Sequence, residues 1–295
     1  MRLPSWISQH LAAVRTLLVF TVLFGLAYPL VLVAVSRIPG LSGHADASLV
    51  FQHGKVVGSS LIGQSFTDAN GNALKQYFQS RPSAAGSAGY DPTATSASNL
   101  GPESVVDTRP DPADPTSGKQ SLLTQVCGRS KAAGELDGVD GSRPFCTPDG
   151  TGAVLAVFHR DGLTGPVTRV VSLNEACPAT PFIATYDGAT VACAKFGEDY
   201  SRGVIIPIRG NAPATPAVPA DAVTASASGL DPDISPAYAA LQAQRVAKER
   251  GVDLAAVNVL IDKHTTGRFL GFVGEPAVNV LELNLDLDQQ YPYRG

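Results

Sequence analysis

The sequence predicts an α+β protein with one N-terminal transmembrane helix, followed by an extracytoplasmic mixed α/β domain. Three observations support this prediction. Residues 16–35 form an uncharged apolar run, all four cysteines follow that run within one stretch, and helix-like and strand-like patterns alternate along the rest of the chain. The stretch that contains the cysteines is predicted to be a β-rich insertion in the extracytoplasmic domain.

The apolar run has the length and composition of a membrane anchor. A helix of about 20 residues, rising about 1.5 Å per residue, crosses a hydrocarbon core of roughly 30 Å. Arg15 and Arg37 close the two ends, where their side chains reach the headgroups. We expect the helix to cover residues 11–36 after a cytoplasmic N-terminus of residues 1–10, with a kink at Pro29. A cleaved signal peptide is the alternative, but its apolar region would normally have about 7–15 residues.

The composition excludes two classes of protein. With 44% hydrophobic residues, 16% charged residues and a net charge of −4, the 295-residue chain is too apolar to be disordered. Its lysines and arginines are scattered, which argues against a nucleic-acid partner.

Cysteine usage indicates the compartment. The cysteines form no CxxC pair and have no histidine at a metal-ligand spacing, so no metal site is predicted. An even number of cysteines after an anchor favours two disulfides on the oxidising side of the membrane, with four buried thiols as the alternative. Three pairings are open, and we favour the local one because it closes the shortest loops. It joins Cys127 to Cys146 and Cys177 to Cys193.

Proline-rich linkers divide the part of the chain that follows the anchor. The first part of the extracytoplasmic domain is predicted to be residues 37–106, the insertion residues 107–219, and the second part residues 220–295. The short N-terminus and the cysteines together place the N-terminus in the cytoplasm and these three segments outside the cell.

Local patterns predict the elements of the first part and of the insertion. A strand over residues 48–55 is expected to turn at His53-Gly54, and the Gly-, Ser- and Ala-rich residues 83–102 are expected to form a flexible loop. Residues 119–129 are predicted to form a short helix. The strands of the insertion are predicted at residues 153–158, 167–173, 182–186, 190–196 and 204–208.

The second part has the clearest helix signals. Ser235 fits an N-cap with Pro236 at the first helical position, and Gly251 ends that helix. Asp253 fits the N-cap of a second helix that runs to about His264.

Residues 278–288 alternate leucine with polar residues, which predicts a strand with one buried and one wet face. The buried face would hold Leu281, Leu283, Leu285 and Leu287. The wet face would be acidic, with Glu282, Asp286 and Asp288.

Motifs for catalysis are missing from the sequence. It contains no GxxxxGK[ST] loop, no GxGxxG after a strand and no GxSxG elbow. We interpret His264 as a solvated helix cap, and Asp231 and Asp233 as turn residues rather than cation ligands. No catalytic residue is therefore predicted.

Six segments resemble the C subunit of the Kdp potassium-transporting ATPase. They are GSSLIGQSF (58–66), YFQSRPSAAG (77–86), YDPTATSASNLGP (90–102), VTASASGLDPDISP (223–236), RVAKERG (245–251) and GEPAVNVLELNLDLD (274–288). These segments follow the family's order on both sides of the cysteine block, and the anchor carries the matching Tyr28-Pro29 pair. The block departs from the short family pattern, and we interpret it as an external insertion that is stapled by its own cysteines.

The resemblance implies a non-catalytic subunit of a high-affinity potassium uptake complex. The implied partners are a channel-like potassium-binding subunit, a P-type ATPase subunit and a small single-helix subunit in the cell membrane. The chain lacks the DKTGT phosphorylation motif of the pump subunit. The family is described as a catalytic chaperone that raises the ATP affinity of the pump subunit. The resemblance thus implies no stably bound cofactor here, with ATP met through the pump subunit and potassium as the transported ion.

The resemblance also implies where contacts lie. Gln64 in the LIGQ motif would be a nucleotide-related contact. The family motif loop supplies Thr224, Ser226, Ser228, Gly229, Asp231 and Asp233. In the anchor, the small residues Thr21, Gly25 and Ala27, together with Pro29, would allow close packing against partner helices. The acidic face of the last predicted strand would raise the local cation concentration at the mouth of the potassium-binding subunit.

Two other function classes compete with this interpretation. A stand-alone, membrane-anchored cell-surface enzyme or binding protein would purify without large polytopic partners. An anchored sensor would need a sizeable cytoplasmic output domain, for which the residues before the anchor are too few.

Overall fold

The computed structural model describes residues 4–95, 101 and 104–294 of the chain. The chain forms two compact units, Met1–Leu61 and Ile62–Gly295. The first unit holds an apolar helix and a hairpin, and the second combines helices with two further sheets, as an α+β class requires.

The apolar helix is long enough to cross a membrane. Helix α1 covers Ser5–Val22, a π-helical turn covers Leu23–Ala27, and α2 covers Tyr28–Ser36. None of its most apolar window is buried within the structure, and that window meets the length and composition of a membrane span. The π-helical turn directly precedes Pro29, whose ring removes the N–H that would bond to the carbonyl of Gly25. The irregularity predicted at Pro29 is therefore a widened turn.

The helix begins earlier than the sequence analysis predicted. It starts at Ser5 rather than near Leu11, with Pro4 at the N-cap. Since no proline or glycine interrupts the chain between Ser5 and Phe24, nothing prevents the helix from extending back through the polar lead-in.

A β-hairpin follows the anchor in the first unit. After the short helix α3 (Ser42–Ala45), strand β1 (Leu49–Gln52) pairs antiparallel with β2 (Lys55–Ser59). The turn residues His53 and Gly54 have φ values of 50° and 76°, as a two-residue hairpin turn with two left-handed positions requires. The predicted turn at this dipeptide is confirmed.

The cysteine block contributes a helix that is longer than predicted. Helix α4 covers Leu122–Asp137 rather than ending at residue 129. Ser121 caps it by accepting a hydrogen bond from the Thr124 N–H at 3.1 Å, and Gly138 ends it at φ 70°. Gly134 allows the last turns of α4 to lie against the backbone of Gly141, because a Cβ at position 134 would lie 2.6 Å from the Gly141 Cα.

The block also holds a five-stranded mixed sheet. Its strands are β3 (Val154–His159), β4 (Val167–Ala176), β5 (Thr185–Tyr186), β6 (Ala189–Ala194) and β7 (Val204–Pro207), in the order β5-β6-β4-β3-β7. Each predicted apolar run contributes a strand, although the third run is reduced to two residues. The pair β4–β6 is parallel and the other pairs are antiparallel.

The cysteines form two disulfides in the local pairing. Cys127 is bonded to Cys146 with Cα atoms 5.4 Å apart, and Cys177 is bonded to Cys193 with Cα atoms 5.1 Å apart. The first bond joins α4 to the segment before β3, and the second joins the end of β4 to β6. Both bonds therefore lie within the block.

The last part of the chain forms a small sheet covered by helices. In chain order its elements are β8 (Asp233–Ile234), α5 (Pro236–Arg250), α6 (Leu254–Lys263), β9 (Thr265–Thr266), β10 (Ala277–Asn279) and α7 (Val280–Gln290). The sheet has the order β8-β10-β9, with both pairs antiparallel. The predicted cap is confirmed at Ser235, whose Oγ accepts from the Tyr238 N–H at 3.0 Å. Asp253 occupies the predicted cap position of α6, but its side chain makes no capping hydrogen bond.

The predicted strand over residues 278–288 is wrong, because most of this segment is helix α7. Asn279 begins the helix by accepting a hydrogen bond from the Glu282 N–H at 3.0 Å, which is an N-x-x-E capping pattern. Leu283 and Leu287 lie one turn apart on the buried side, and both are fully buried. Leu281 and Leu285 lie on another side of the helix, where Leu281 is buried and Leu285 is half-buried. The Asn279 cap is the local signal that favours a helix here.

One hydrophobic core joins the cysteine block to the last part of the chain. Ala133 on α4 is buried in the same cluster as Ala243 and Val246 on α5 and Leu283 on α7. The cluster is supported by an ion pair between Asp137 at the end of α4 and Arg245 on α5, with 2.7 Å between Oδ1 and Nε. The block is therefore packed into the main core through its helix.

Two buried side-chain amides form hydrogen bonds with the backbone of residues 78 and 79, as a neighbouring strand would. The Phe78 N–H donates to Asn284 Oδ1 at 2.9 Å, and Asn284 Nδ2 donates back to the Phe78 carbonyl at 2.9 Å. The Gln79 N–H donates to Gln242 Oε1 at 2.7 Å, and Gln242 Nε2 donates back to the Gln79 carbonyl at 3.1 Å. Because unpaired backbone groups are costly when buried, these amides allow Phe78 to be fully buried in the core.

The acidic face proposed for the last segment is not free to attract cations. Asp288 accepts hydrogen bonds from Arg250 Nη2 at 2.8 Å and from the Tyr77 hydroxyl at 2.9 Å. Asp286 lies 2.7 Å from Lys263 Nζ and 2.8 Å from His264 Nε2. Glu282 has the most exposed side chain of the three carboxylates, at 44%, and its Oε2 lies 4.0 Å from His264 Nδ1. The cation-attracting role is therefore dropped.

His264 is also not the solvated cap that the sequence predicted. Its side chain is 14% exposed and faces Asp286. Burial acts to raise the pKa of Asp286, but hydrogen bonds from Lys263, His264 and Gln290 outweigh burial and lower the pKa to about 2. Helix α7 thus places Asp286, which was predicted to face solvent, in a charged cluster with Lys263 and His264.

We expect Asp286→Asn to lower the free energy of unfolding at neutral pH by about 2 kcal/mol. A carboxylate with a lowered folded-state pKa stabilises the fold fully above its ordinary pKa of 3.8, and this contribution is lost as the pH falls through about 2. The difference between the two proteins should therefore shrink as the pH falls below about 4. Urea denaturation followed by circular dichroism at neutral and acidic pH measures it. The control is Asp262→Asn at an exposed site on α6, and equal stability of D286N and D262N at neutral pH would contradict the prediction.

Candidate functional site

Three segments that carry the family motifs meet in one place, which we call the motif junction. It consists of residues 62–66, 79–91 and 224–231. The Gly63 N–H donates to the Leu230 carbonyl at 2.9 Å, and the Ser226 N–H donates to the Pro82 carbonyl at 2.9 Å. Residues more than 140 positions apart in sequence are therefore joined through their backbones.

Arg81 connects the central segment to the motif loop. Its Nη1 lies 3.1 Å from Asp231 Oδ2, and its Nη2 donates to the carbonyls of Thr224 and Ala225 at 3.3 and 3.4 Å. Arg81 was not among the site residues predicted from the sequence. The available signal was that two of the motifs carry opposite charges, one arginine in YFQSRPSAAG and two aspartates in VTASASGLDPD. Asp231 thus acts as an ion-pair partner rather than as a cation ligand.

The hydroxyl groups of the motif loop form hydrogen bonds that stabilise its turns. Ser226 is fully buried, and its Oγ accepts from the Gly229 N–H at 3.0 Å. Ser228 Oγ donates to Asp231 Oδ1 at 3.2 Å. The Thr224 hydroxyl donates to the Ala220 carbonyl at 2.8 Å. Activation of a serine requires a general base within reach, and these hydroxyls instead shape the loop.

Asp233 lies beyond the junction, in strand β8. It is half-buried, and burial raises the pKa of its carboxyl group. The motif loop therefore separates into a junction part, which ends at Asp231, and a strand that enters the small sheet.

The loop predicted to be flexible is partly built into the junction. Ser83 Oγ accepts from the N–H groups of Ala85 and Tyr90, at 3.1 and 2.9 Å, and donates to the Gly229 carbonyl at 2.7 Å. Ala85 and Tyr90 are buried, and burial raises the pKa of the Tyr90 hydroxyl to about 12. The prediction is wrong for residues 83–91, while residues 96–100, 102 and 103 lie outside the described part of the chain.

Gln64 offers an amide at the edge of the junction. Its carbonyl oxygen accepts from Ser80 Oγ at 2.9 Å, which fixes the backbone. Its side chain is half-buried and makes no hydrogen bond to the described residues. The Gln64 amide is therefore available to a group outside the chain.

The one cationic side chain of the junction, Arg81, is already engaged. Phosphate binding needs free cationic groups or a glycine-rich loop at a helix N-terminus. Arg81 already bonds to Asp231 and two carbonyls, and Ser226 is fully buried. Among the described residues, no group of three or more His, Cys, Asp or Glu side chains is placed to hold a metal ion.

We expect Gly63→Ala to lower the free energy of unfolding by about 1–3 kcal/mol through overpacking. A Cβ at Gly63 would lie 2.4 Å from the Tyr90 ring and 2.5 Å from the Asp231 carbonyl oxygen. The control is Gly267→Ala, where nothing lies within 4 Å of a Cβ. Urea denaturation of both variants measures the difference in the free energy of unfolding. Equal stabilities would show that the junction tolerates a Cβ at position 63.

The small residues of the anchor do not share one face. Thr21 and Gly25 lie one turn apart, with 3.9 Å between the Thr21 Cγ2 and a Cβ placed on Gly25. Ala27 follows Gly25 by two positions and therefore points to another side of the helix. The small side chains of Thr21 and Gly25 leave a groove on one side of the helix.

A family model decides the relationship of this chain to known proteins. The model is described as K+-transporting ATPase, c chain, and it matches residues 10–108 and 206–289. The chain belongs to the KdpC family. The family identification made from the six motif segments is confirmed.

Similar proteins extend the match to almost the whole chain. The potassium-transporting ATPase KdpC subunit of Beijerinckia indica is 34% identical over 285 residues, 96% of this chain and 95% of that protein. That of Kineococcus radiotolerans is 35% identical over 290 residues, 98% of both chains. That of Mycobacterium tuberculosis H37Rv is 34% identical over 281 residues, 95% of this chain and 98% of that protein. These KdpC relatives therefore include a counterpart of the cysteine block, which lies between the two stretches that the family model matches.

Proposed function

We propose that this chain is a non-catalytic subunit of a high-affinity, ATP-driven potassium uptake complex, in which it supports assembly and stability. One observation carries the proposal. The KdpC match covers the exposed apolar helix and all three segments of the motif junction. The curated relatives are named as subunits of a potassium-transporting ATPase.

The proposed partners are a channel-like potassium-binding subunit, a P-type ATPase subunit and a small single-helix subunit. The anchor supplies the contact in the membrane. Helices that associate in lipid use small residues to approach closely, and Thr21 and Gly25 provide such a site. Since the helix is exposed along its length, its apolar surface is open to lipid and to partner helices.

We also propose that the N-terminus lies in the cytoplasm and the second unit outside it. The two disulfides support this orientation, because disulfides form and persist on the oxidising side of the membrane. The apolar helix supports localisation in the cell membrane with a single span.

The chaperone effect on ATP affinity belongs to this proposal in a limited form. The junction offers one available amide, that of Gln64, and no group for a triphosphate. An effect on ATP affinity would therefore pass through contact with the pump subunit, with no nucleotide held stably by this chain and potassium carried by the complex.

Purification from potassium-starved cells tests the proposal. A tagged wild-type chain, extracted in mild detergent, should bring a P-type ATPase and a channel-like subunit, identified by mass spectrometry. Gly25→Leu should lose both partners, because the larger side chain fills the groove beside Thr21 without a clash inside the helix itself. Ala27→Leu is the matched control on another side and should keep them.

A different result would favour the competing interpretation. If the wild-type chain purifies alone and folded, it is a stand-alone anchored enzyme or binding protein. If G25L and A27L lose the partners equally, the groove at Thr21 and Gly25 does not define the contact.

A further inference from the structure

An exposed apolar tip lies between α6 and β10, at residues 269–273. Phe269, Leu270 and Phe272 are 71%, 71% and 75% exposed, and Val273 is 48% exposed. Single exposed apolar residues are common on protein surfaces, but four within five positions form a patch that requires a contact. None of these residues belongs to the motif junction or to the core clusters.

The apolar tip is an ordered hairpin. The Phe269 N–H donates to the Val273 carbonyl at 2.9 Å, and the Val273 N–H donates back to the Phe269 carbonyl at 2.9 Å. Leu270 and Gly271 form the turn with φ values of 53° and 81°, and the Gly271 N–H donates to the Arg268 carbonyl at 3.1 Å. The backbone N–H groups of Phe269, Gly271 and Val273 are therefore paired inside the hairpin, which lowers the cost of entering a layer that is poor in hydrogen-bond partners.

The charged groups stand at the base of the hairpin. Arg268 Nη2 lies 2.6 Å from Glu275 Oε2, and Arg268 Nε donates to the Gly274 carbonyl at 3.0 Å. The Arg268 side chain is 44% exposed. An apolar end with an arginine behind it matches the boundary between acyl chains and headgroups, where arginine reaches back to the polar layer.

The arrangement of the tip favours lipid over a groove on a partner protein. Phe269 and Val273 pair across the hairpin, and Leu270 and Phe272 lie in the turn that joins them. Since all four are exposed, the apolar surface covers the end of the hairpin and is not confined to one face of a strand. A protein groove covers one face of a hairpin, whereas hydrocarbon surrounds both faces. The chain also carries its own membrane span, which keeps the domain at a high effective concentration beside the bilayer.

We propose that the apolar tip inserts into the interfacial region of the bilayer that holds the anchor, as a second membrane contact of the chain. This contact goes beyond the proposed function, because it is made with lipid and does not depend on which protein subunits the chain joins. It would restrain the domain relative to the membrane surface.

Fluorescence quenching by lipid tests this contact in the full chain. The single tryptophan is removed with Trp6→Phe, and a reporter is placed at the tip with Phe272→Trp. The control reporter is Leu163→Trp in the turn between β3 and β4, where Leu163 is 72% exposed. Each chain is reconstituted alone in phosphatidylcholine and phosphatidylglycerol vesicles, with or without brominated acyl chains.

The expected result is that brominated lipid removes most of the F272W emission and leaves the L163W emission unchanged. Adding Phe269→Asp to the F272W chain should restore the emission, because a carboxylate at the tip opposes insertion. Two outcomes would overturn the proposal. An unquenched F272W would show that the tip stays out of lipid and needs a protein partner, and equal quenching of both reporters would show non-specific adsorption of the domain. Because no other subunit is present, these outcomes are independent of the purification experiment.

Discussion

Replacing Arg245 with alanine is expected to lower the free energy of unfolding by about 3–5 kcal/mol, the cost of leaving a buried charge without its partner. The side chains of Arg245 and Asp137 are 5% and 1% exposed, and their ion pair joins α5 to the end of α4. Arg245 also donates to the carbonyls of Lys75 and Tyr77, and to Gln242 Oε1. Its loss therefore removes the partners of several buried acceptors at once.

Asp137 makes the effect of that substitution large. Burial raises the pKa of its carboxyl group, and Arg245 opposes the shift. Without Arg245, the carboxylate must be protonated or hydrated, and either event loosens the core between the two helices.

Urea denaturation of the full chain in mild detergent, followed by circular dichroism, measures this loss. The matched control is Lys248→Ala, which removes a positive charge from an exposed position on the same helix. K248A should change the stability by no more than about 0.5 kcal/mol. If R245A were as stable as K248A, the ion pair would not hold the cysteine block to the core.

Removing the Cys127–Cys146 disulfide with the double substitution Cys127→Ser and Cys146→Ser is expected to cost about 2–5 kcal/mol. The bond closes a separation of 19 residues between α4 and the segment before β3. Cys127 is 1% exposed, so the serine also places a hydroxyl in a buried position. The same denaturation experiment measures the loss.

The second disulfide provides the comparison. Cys177–Cys193 closes a similar separation of 16 residues, but Cys177 is exposed and Cys193 is half-buried. The double serine variant at this bond should therefore lose less stability. As the concentration of reductant is raised, this bond should be reduced first. If loss of the Cys177–Cys193 bond lowered the free energy of unfolding more, burial around Cys127 would not explain the difference between the two bonds.

Local signals in the sequence were sufficient for several elements. The Ser235 cap, Pro236 and Gly251 bound helix α5 where predicted, because capping and left-handed termination depend on a few neighbouring residues. The hairpin turn at His53-Gly54 is equally local. The shortest-loop argument for the cysteines agrees with the pairing in the structure.

The candidate site was predictable as a set of motifs and not as an arrangement. The sequence analysis named Gln64 and the motif loop, but not Arg81 or Tyr90. Arg81 forms an ion pair with Asp231, which lies 150 positions away in sequence, and no local sequence pattern predicts such a partner. The same reason explains why the predicted solvated role of His264 failed, since its partner Asp286 lies on a different helix.

By itself the sequence determined the family and the helix that is long and apolar enough to span a membrane, because long motifs and an uncharged apolar run are properties of the linear sequence. The tertiary structure alone decided what the leucines of residues 280–290 contact, since Leu283 and Leu287 are buried in the same cluster as residues of α4 and α5. It also decided that the cysteine block packs into the main core through Ala133 and Asp137. The physical reason is that periodicity shows which faces are apolar, whereas partners distant in sequence determine what those faces and charges meet.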